Sequence, residues 1–247
     1  MVKYKIAIDN GHGRETAGKR TPKFSDGTQM REWEFNYITA KYLKTELERC
    51  GFETIMLSDT EIDTPLSNRT YKANKEKVDL VISIHANALT EAKFGTHGGT
   101  ELHVYKQGNK AEKYAKNMLN HIISNSCKGF RNRGVKYTNL YMVRETNAPS
   151  VLCEALFMDN LEEAKKLKSD SFRKQYAIDV CKGVCDTLSV KYVGEPQNRN
   201  ESVSVPSGET TYYRVIAGSY TDRKNAENMK EQLTKLGIPS FLEVFKK

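Results

Sequence analysis

The stretch VDLVISIHANA, residues 78–88, is almost continuously apolar until it ends in polar side chains. Such a run predicts a strand covered on both faces, as in a parallel sheet that carries helices on either side. His85 follows the last isoleucine, so its ring is predicted to lie where the strand closes. The stretch therefore predicts an α/β fold with an open, mostly parallel sheet, in which ligands bind beyond the carboxyl ends of the strands.

Two further runs place ionisable side chains on predicted strands. The segment KIAIDNGHG, residues 5–13, breaks from an apolar run into a tight turn that presents His12 at the carboxyl edge. The segment PSVLCEALF, residues 149–157, carries Glu154 inside an apolar stretch. A carboxylate is costly there unless it is paired, metal-bound or used in chemistry.

A fourth candidate, Glu32, opens a predicted helix that runs to about Arg49. Apolar residues recur in that stretch at steps of three and four, which predicts a helix with Glu32 in its first turn. Glu34 is the alternative carboxylate, because a shift of two residues would turn it toward a different side of the helix.

Each of these residues also has an ordinary structural explanation. A histidine at a strand end commonly makes a structural hydrogen bond, and Glu32 could simply complement the helix dipole. Glu154 could be a buried partner of an arginine or lysine. Convergence of three strand ends on one crevice is what would turn the four residues into a functional site.

The motifs together resemble the zinc-dependent N-acetylmuramoyl-L-alanine amidases of bacterial autolysins, sporulation lysins and phage endolysins. The resemblance runs from about residue 3 to about residue 190. It is carried, in order, by IDNGHG at 8–13, Glu32 with FNYI at 35–38, SIHANA at 83–88 and EALFMDN at 154–160. It implies that His12, Glu32 and His85 bind Zn²⁺ and that Glu154 is the catalytic carboxylate.

The implied reaction cuts the amide between the lactyl group of N-acetylmuramic acid and the L-alanine of the stem peptide. Three protein ligands would leave one zinc position open for water, and Glu154 would act first as general base and then as general acid. A zinc exopeptidase of related architecture and a non-catalytic wall-binding protein are the alternatives. Arg133 is the candidate for binding stem carboxylates, or else a solvated loop arginine, and Asn87 is a weaker substrate-binding candidate.

The composition is compatible with a wall-directed enzyme. The chain has 247 residues and a formal net charge of +8, which favours a polyanionic partner. No nucleic-acid-binding motif is recognisable, so we expect peptidoglycan and the anionic polymers of a Gram-positive wall rather than nucleic acid; a lysine-rich surface without a specific partner explains the charge equally well. No apolar run reaches the length of a membrane span.

The amino terminus runs directly into the first predicted strand and has no recognisable signal peptide. We therefore expect a protein that is made in the cytoplasm and acts on the wall after release, either as a phage endolysin or as a mother-cell or autolytic lysin. The five cysteines lack a C-x-x-C pair, which indicates reduced thiols. Cys181 and Cys185, one helical turn apart, are interpreted as packing residues rather than ligands.

The chain changes character near residue 193. Residues 1–192 are assigned to the amidase domain, 193–210 to a polar linker and 211–247 to a small βαβ domain, with strands at 211–220 and 240–245 and a helix at 224–236. This tail resembles one half of a sporulation-related (SPOR) peptidoglycan-binding repeat. A unit so small rarely folds alone, which predicts either a homodimer through paired tails or docking on the chain's own amidase domain.

Overall fold

The computed structural model describes residues 4–195, 218, 220–235 and 242. The chain divides into two compact units, Met1–Gln197 and Asn198–Lys247. The strands are β1 (Lys5–Asn10), β2 (Glu53–Met56), β3 (Leu80–Asn87), β4 (Thr100–Val104), β5 (Asn132–Tyr137) and β6 (Ser150–Phe157). The helices are α1 (Glu32–Arg49), α2 (Leu66–Lys75), α3 (Lys110–Ser124), α4 (Tyr141–Arg144), α5 (Leu161–Lys168), α6 (Asp170–Leu188) and α7 (Arg223–Lys235).

The first unit is built on one six-stranded sheet in the order β2-β1-β3-β6-β4-β5. Strands β2, β1, β3 and β6 pair in parallel, and β4 also pairs in parallel with β5. Only the β4–β6 pairing, among the pairings described, is antiparallel. The predicted mostly parallel α/β sheet is confirmed, with a reversal of direction between β6 and β4.

Apolar side chains cover both faces of this sheet. Alternate residues of β1 and β3, such as Ile8 and Ile82, join the large core under α1, α3 and α6. Their neighbours, such as Ala7 and Val81, join a smaller cluster with residues of α2 and α4. This double coverage explains why β3 reads as a continuous apolar run.

Helix ends are fixed by short polar side chains. Asn109 caps α3 by accepting from the backbone N–H of Glu112, and Asn160 caps α5 by accepting from those of Glu162 and Glu163. Helix α1 has no such cap. Its first residue, Glu32, turns its carboxylate away from the helix axis and toward the carboxyl ends of β1 and β3, where it contacts His12 and His85.

The second unit is described mainly through α7. This helix spans Arg223–Lys235 and so covers nearly all of the predicted helix at 224–236. Both predicted strands of the tail lie largely or wholly outside the described residues. None of the helices described here combines the length and apolar character needed to cross a membrane.

Candidate active site

The candidate site lies at the carboxyl ends of β1, β3 and β6. The structure refines the predicted position of each residue. His12 lies two residues beyond β1, and His85 lies two residues before the end of β3, next to a register shift between His85 and Asn87. Glu154 lies within β6, directly opposite His85. The parallel register places both side chains on the same face.

Two glycines hold the His12 turn in place. His12 has a φ of +62°, in the left-handed region that non-glycine residues seldom adopt. A Cβ on Gly11 would lie 2.0 Å from the His85 ring, and one on Gly13 would lie 2.3 Å from the backbone of Asp63. Glycine is therefore required on both sides because the backbone passes directly over His85 and the 61–63 segment.

The carboxylate of Glu32 lies between the two histidines. Its Oε1 is 3.0 Å from His85 Nδ1, and its Oε2 is 3.3 Å from His12 Nε2. Oε1 also accepts from Asn36 Nδ2 and from the backbone N–H of Ala86. Glu34 is only partly buried and does not belong to this group. The geometry thus favours Glu32 over Glu34 as the carboxylate of the site.

Burial and mutual contact set the protonation of this trio. Burial lowers the pKa of His12 to about 4, so its imidazole is neutral at pH 7. Burial acts to raise the pKa of Glu32, but the hydrogen bond from His85 and the charges of the two imidazoles lower it to about 2. The same hydrogen bond raises the pKa of His85 against the effect of its burial. An ionised carboxylate and a neutral imidazole are the forms that bind metal ions.

The trio fits a divalent metal ion. One ligand atom each from His12, Glu32 and His85 can be chosen so that all lie within 4.8 Å of one another. The Oε2 atom of Glu32 is buried and has no hydrogen-bond donor among the described residues. Two imidazoles and one carboxylate form a donor set that suits zinc in catalytic sites. An unsatisfied oxygen between two imidazoles is explained by a cation at that position.

Glu154 is the second carboxylate of the site, and no described residue pairs with it. Its Oε2 is buried without a hydrogen-bond partner in the described structure. Burial, together with the negative charges of Glu32 and Glu101 and against the effect of His85, raises its pKa to about 8. Pairing with an arginine or lysine was the alternative predicted from the sequence. Among the described residues, no such side chain lies within hydrogen-bonding distance of Glu154. A carboxyl with such a pKa can both take up and release a proton near neutrality.

A third carboxylate, Glu101, links the two predicted substrate-binding residues. It lies opposite Glu154 across the antiparallel β4–β6 pair. Its Oε1 accepts from Asn87 Nδ2 at 2.7 Å, and its Oε2 accepts from Arg133 Nε at 2.8 Å. The Arg133 guanidinium also stacks over the ring of Phe157 at 5.0 Å. The structure therefore brings Arg133 and Asn87 together beside Glu154.

A buried ion pair supports the His12 side of the site. Arg69, 1% exposed, donates from Nη1 to Asp9 Oδ1 at 2.7 Å and to the Asn10 carbonyl at 2.7 Å. Its Nη2 reaches Asp63 at 3.0 Å. Asp9, Asp63 and Arg69, together with His12 and His85, line a cavity of about 260 Å³ next to the trio.

Asp9, Arg69 and Glu101 lie in stretches that share the family resemblance, IDNGHG at 8–13, LSNR at 66–69 and GTEL at 99–102, but no individual role was predicted for them. Asp9 could have been noticed by the signal that identified Glu154, a charge within an apolar strand. Glu101 occupies one position of the short strand TELHV, where alternation alone predicts an ordinary solvent-facing residue.

Residues 6–186 match the family model described as N-acetylmuramoyl-L-alanine amidase. The chain belongs to this family. Membership agrees with the family resemblance and with the fold predicted from the sequence. Residues 192–242 match the SPOR domain, as the resemblance of the tail predicted.

Relatives and solved structures agree with this family. An endolysin of Bacillus phage SPP1 is 30% identical over 193 residues, covering 75% of this chain and 66% of the endolysin. An uncharacterized cell wall amidase of Bacillus anthracis is 32% identical, covering 73% of this chain and 35% of that protein. The crystal structure of an N-acetylmuramoyl-L-alanine amidase from Clostridium difficile 630 superposes with a TM-score of 0.68 at 26% identity, covering 76% and 98% of the two chains. The chain thus spans two thirds or less of these two relatives.

Proposed function

We propose that this chain is a zinc-dependent peptidoglycan hydrolase that cleaves the amide between N-acetylmuramic acid and the L-alanine of the stem peptide. One observation carries the proposal. The imidazoles of His12 and His85 and the buried carboxylate of Glu32 converge beside Glu154, which lies directly opposite His85 in the sheet and has no hydrogen-bond partner for its Oε2 among the described residues. This is the donor set of a hydrolytic zinc site together with a separate proton carrier.

His12, Glu32 and His85 would hold the ion. When bound, zinc supplies Lewis acidity toward the scissile carbonyl and lowers the pKa of water. The protein's contribution is to hold the donors in position. The His12 turn is fixed by the two flanking glycines, and Glu32 is oriented by Asn36 Nδ2, which also donates to the Gly11 carbonyl at 2.9 Å.

Glu154 moves the proton in this proposal. Its ionised carboxylate accepts a proton from the attacking water and then donates that proton to the departing amine of L-alanine. Burial raises its pKa to about 8. Because this pKa lies only slightly above neutrality, the protonated carboxyl can act as an acid at neutral pH. A carboxyl with an ordinary pKa would lose the proton to solvent before it could transfer that proton to the amine.

We propose Arg133 as the residue that contacts the substrate. Its Nε is bound by Glu101 and its plane is stacked on Phe157, which fixes the direction in which the rest of the guanidinium is presented. Arginine suits the carboxylates of a stem peptide because its fork binds them with two hydrogen bonds. Both polar atoms of Asn87 bond within the protein, to Glu101 and to the Ala88 N–H, so Asn87 acts on substrate through Glu101.

The tail and the charge extend the proposal to the cell wall. We propose that the SPOR region at 192–242 binds peptidoglycan and that the net charge of +8 strengthens association with anionic wall polymers. In this proposal the protein reaches the wall after release from the cell that makes it.

The test is product analysis on purified muropeptides. We expect a new free α-amine on L-alanine, with intact muramic acid as the other product. A chelator should abolish the reaction, and Zn²⁺ should restore it. The Glu154→Gln variant should retain its metal but turn over at least about a hundredfold more slowly.

An exopeptidase would give a different pattern. It would release amino acids from free peptides and leave the muramoyl–alanine bond intact. That result, or full activity in Glu154→Gln, would contradict the proposed reaction.

A further inference from the structure

Three cysteines meet far from the candidate active site. Cys50 follows the last residue of α1, and Cys181 and Cys185 lie four residues apart on α6. Their Sγ atoms all lie within 4.8 Å of one another, and those of Cys50 and Cys181 are 3.9 Å apart. All three residues are at most 9% exposed. The cluster brings together thiols that are separated by up to 135 positions in the chain.

These separations match a thiolate metal site. A tetrahedral ion with Zn–S bonds of about 2.3 Å places its sulfur ligands roughly 3.8 Å apart. The Cys50–Cys181 pair already has that spacing, and the third sulfur needs only a small adjustment. Thiolates are the ligands that select soft ions such as Zn²⁺ and Cu⁺. The two remaining cysteines, Cys127 and Cys153, are buried elsewhere and do not belong to the cluster.

The backbone of the returning segment also contacts the cluster. The backbone N–H of Val193 donates to Cys50 Sγ at 3.3 Å, and an N–H directed at sulfur stabilises a thiolate. Packing of three small apolar side chains would not require the donor from Val193.

The cluster also lies where three parts of the first unit meet. The chain leaving α6 folds back over the end of α1, where Tyr192 donates to Glu46 Oε2 at 2.7 Å. Further along, Glu195 pairs with Lys174 of α6 at 2.8 Å. An ion at the cluster would therefore fasten the end of α1, the last turns of α6 and the returning segment 190–195 to one another.

We propose that Cys50, Cys181 and Cys185 form a second metal site, which binds a soft divalent ion such as Zn²⁺ through three thiolates. Cys181 and Cys185 alone would be only two thiols on one helix. Cys50, 131 positions from Cys181 in the chain, supplies the third. This site is independent of the proposed catalytic function.

Cobalt substitution separates this site from the active site. The full-length chain is prepared metal-free under reducing conditions and titrated with Co²⁺. Sulfur-to-cobalt charge transfer in the near ultraviolet arises only where thiolates bind the ion, and the His12, Glu32, His85 trio has no sulfur. We expect a charge-transfer band that saturates at one equivalent of Co²⁺ per chain. The band should persist in His12→Ala and disappear in Cys50→Ser and in Cys181→Ser.

Cys127→Ser is the matched control, because Cys127 is equally buried but lies outside the cluster; this variant should keep the band. If the cluster variants fold poorly, a second measurement uses a protein in which the three cysteines are intact. Zn²⁺ should then protect three thiols from alkylation in the His12→Ala protein. The absence of the band, its persistence in Cys50→Ser, or a Cys50–Cys181 disulfide in place of metal uptake would overturn the proposal.

Discussion

At the scale of single residues, Glu154 combines a cost in stability with a role in chemistry. Its folded pKa of about 8 lies above the ordinary 4.5, so the folded protein retains a proton that the unfolded chain has released. The stability of the metal-free protein should therefore fall as pH rises from about 4.5 toward 8. Glu154→Gln mimics the protonated form and should remove that fall. We expect the metal-free variant to gain on the order of 1–3 kcal/mol at pH 8.

Urea denaturation of both proteins at several pH values measures this gain. Below about pH 4, where the carboxyl is protonated in both states, the two curves should converge. Equal stability of variant and wild type at pH 8 would show that Glu154 is not held in a costly environment.

Arg133 is the residue through which substrate affinity can be tested. Arg133→Lys keeps the charge but loses the fork, and Arg133→Ala loses both. We expect KM for stem-containing muropeptides to rise about tenfold in Arg133→Ala, with a smaller change in kcat, since such a loss removes roughly 1.4 kcal/mol of binding in both ground and transition states. A fall in kcat alone, with KM unchanged, would contradict a substrate contact.

At the scale of elements, the sequence predicts those parts of the fold whose pattern is local. The apolar runs of β1, β3 and β6 and the periodicity of α1 lie within single segments, and the structure places these elements within a few residues of their predicted bounds. The direction of β4 depends on how the chain turns between Ala88 and Thr100, which no periodicity records. Because Glu101 faces Glu154 only through that reversal, its contacts in the site could not be predicted from the pattern.

The contact between α3 and α6 depends on one glycine. A Cβ on Gly183 would lie 2.4 Å from the backbone of Met118, so the helices approach each other more closely than any side chain allows. Alanine normally stabilises a helix relative to glycine. Here Gly183→Ala should instead destabilise the protein by about 1–3 kcal/mol, because the helices must separate.

Thermal denaturation of Gly183→Ala checks this expectation. Asn120→Ala, an exposed substitution on α3, should change stability by no more than about 0.5 kcal/mol. A stabilised Gly183→Ala would mean that the two backbones can move apart at little cost.

The Asp9–Arg69 pair joins β1 to α2. Both side chains are 1% exposed, so removal of Arg69 leaves the Asp9 carboxylate buried without its partner, whereas removal of Asp9 leaves Arg69 paired with Asp63 alone. Arg69→Leu should cost about 3–5 kcal/mol. The double variant Asp9→Leu, Arg69→Leu should be less destabilised than the sum of the two single variants, as a denaturation-based double-mutant cycle would measure. Additive losses would show that the two charges do not stabilise each other.

At the scale of the whole molecule, the tail is predicted to make the protein a homodimer. The SPOR match covers residues 192–242. The single strand-helix-strand unit predicted at 211–247 would bury little apolar surface by itself. On α7, the apolar side chains Ala226, Met229 and Leu233 form one face and remain only partly buried. Two such faces packed together would complete a core, and a dimer would bring two catalytic units to one stretch of wall.

Sedimentation of the full-length chain tests this assembly. We expect a dimer of twice the 28.1 kDa chain mass, and a monomer when the chain ends after Glu195. Leu233→Glu should dissociate the dimer because it places a charge in the apolar contact. Asn228→Glu adds the same charge at an exposed position of α7 and should leave the dimer intact. A full-length protein that stays monomeric at every concentration, with α7 still helical, would favour the docking of each tail on its own amidase unit.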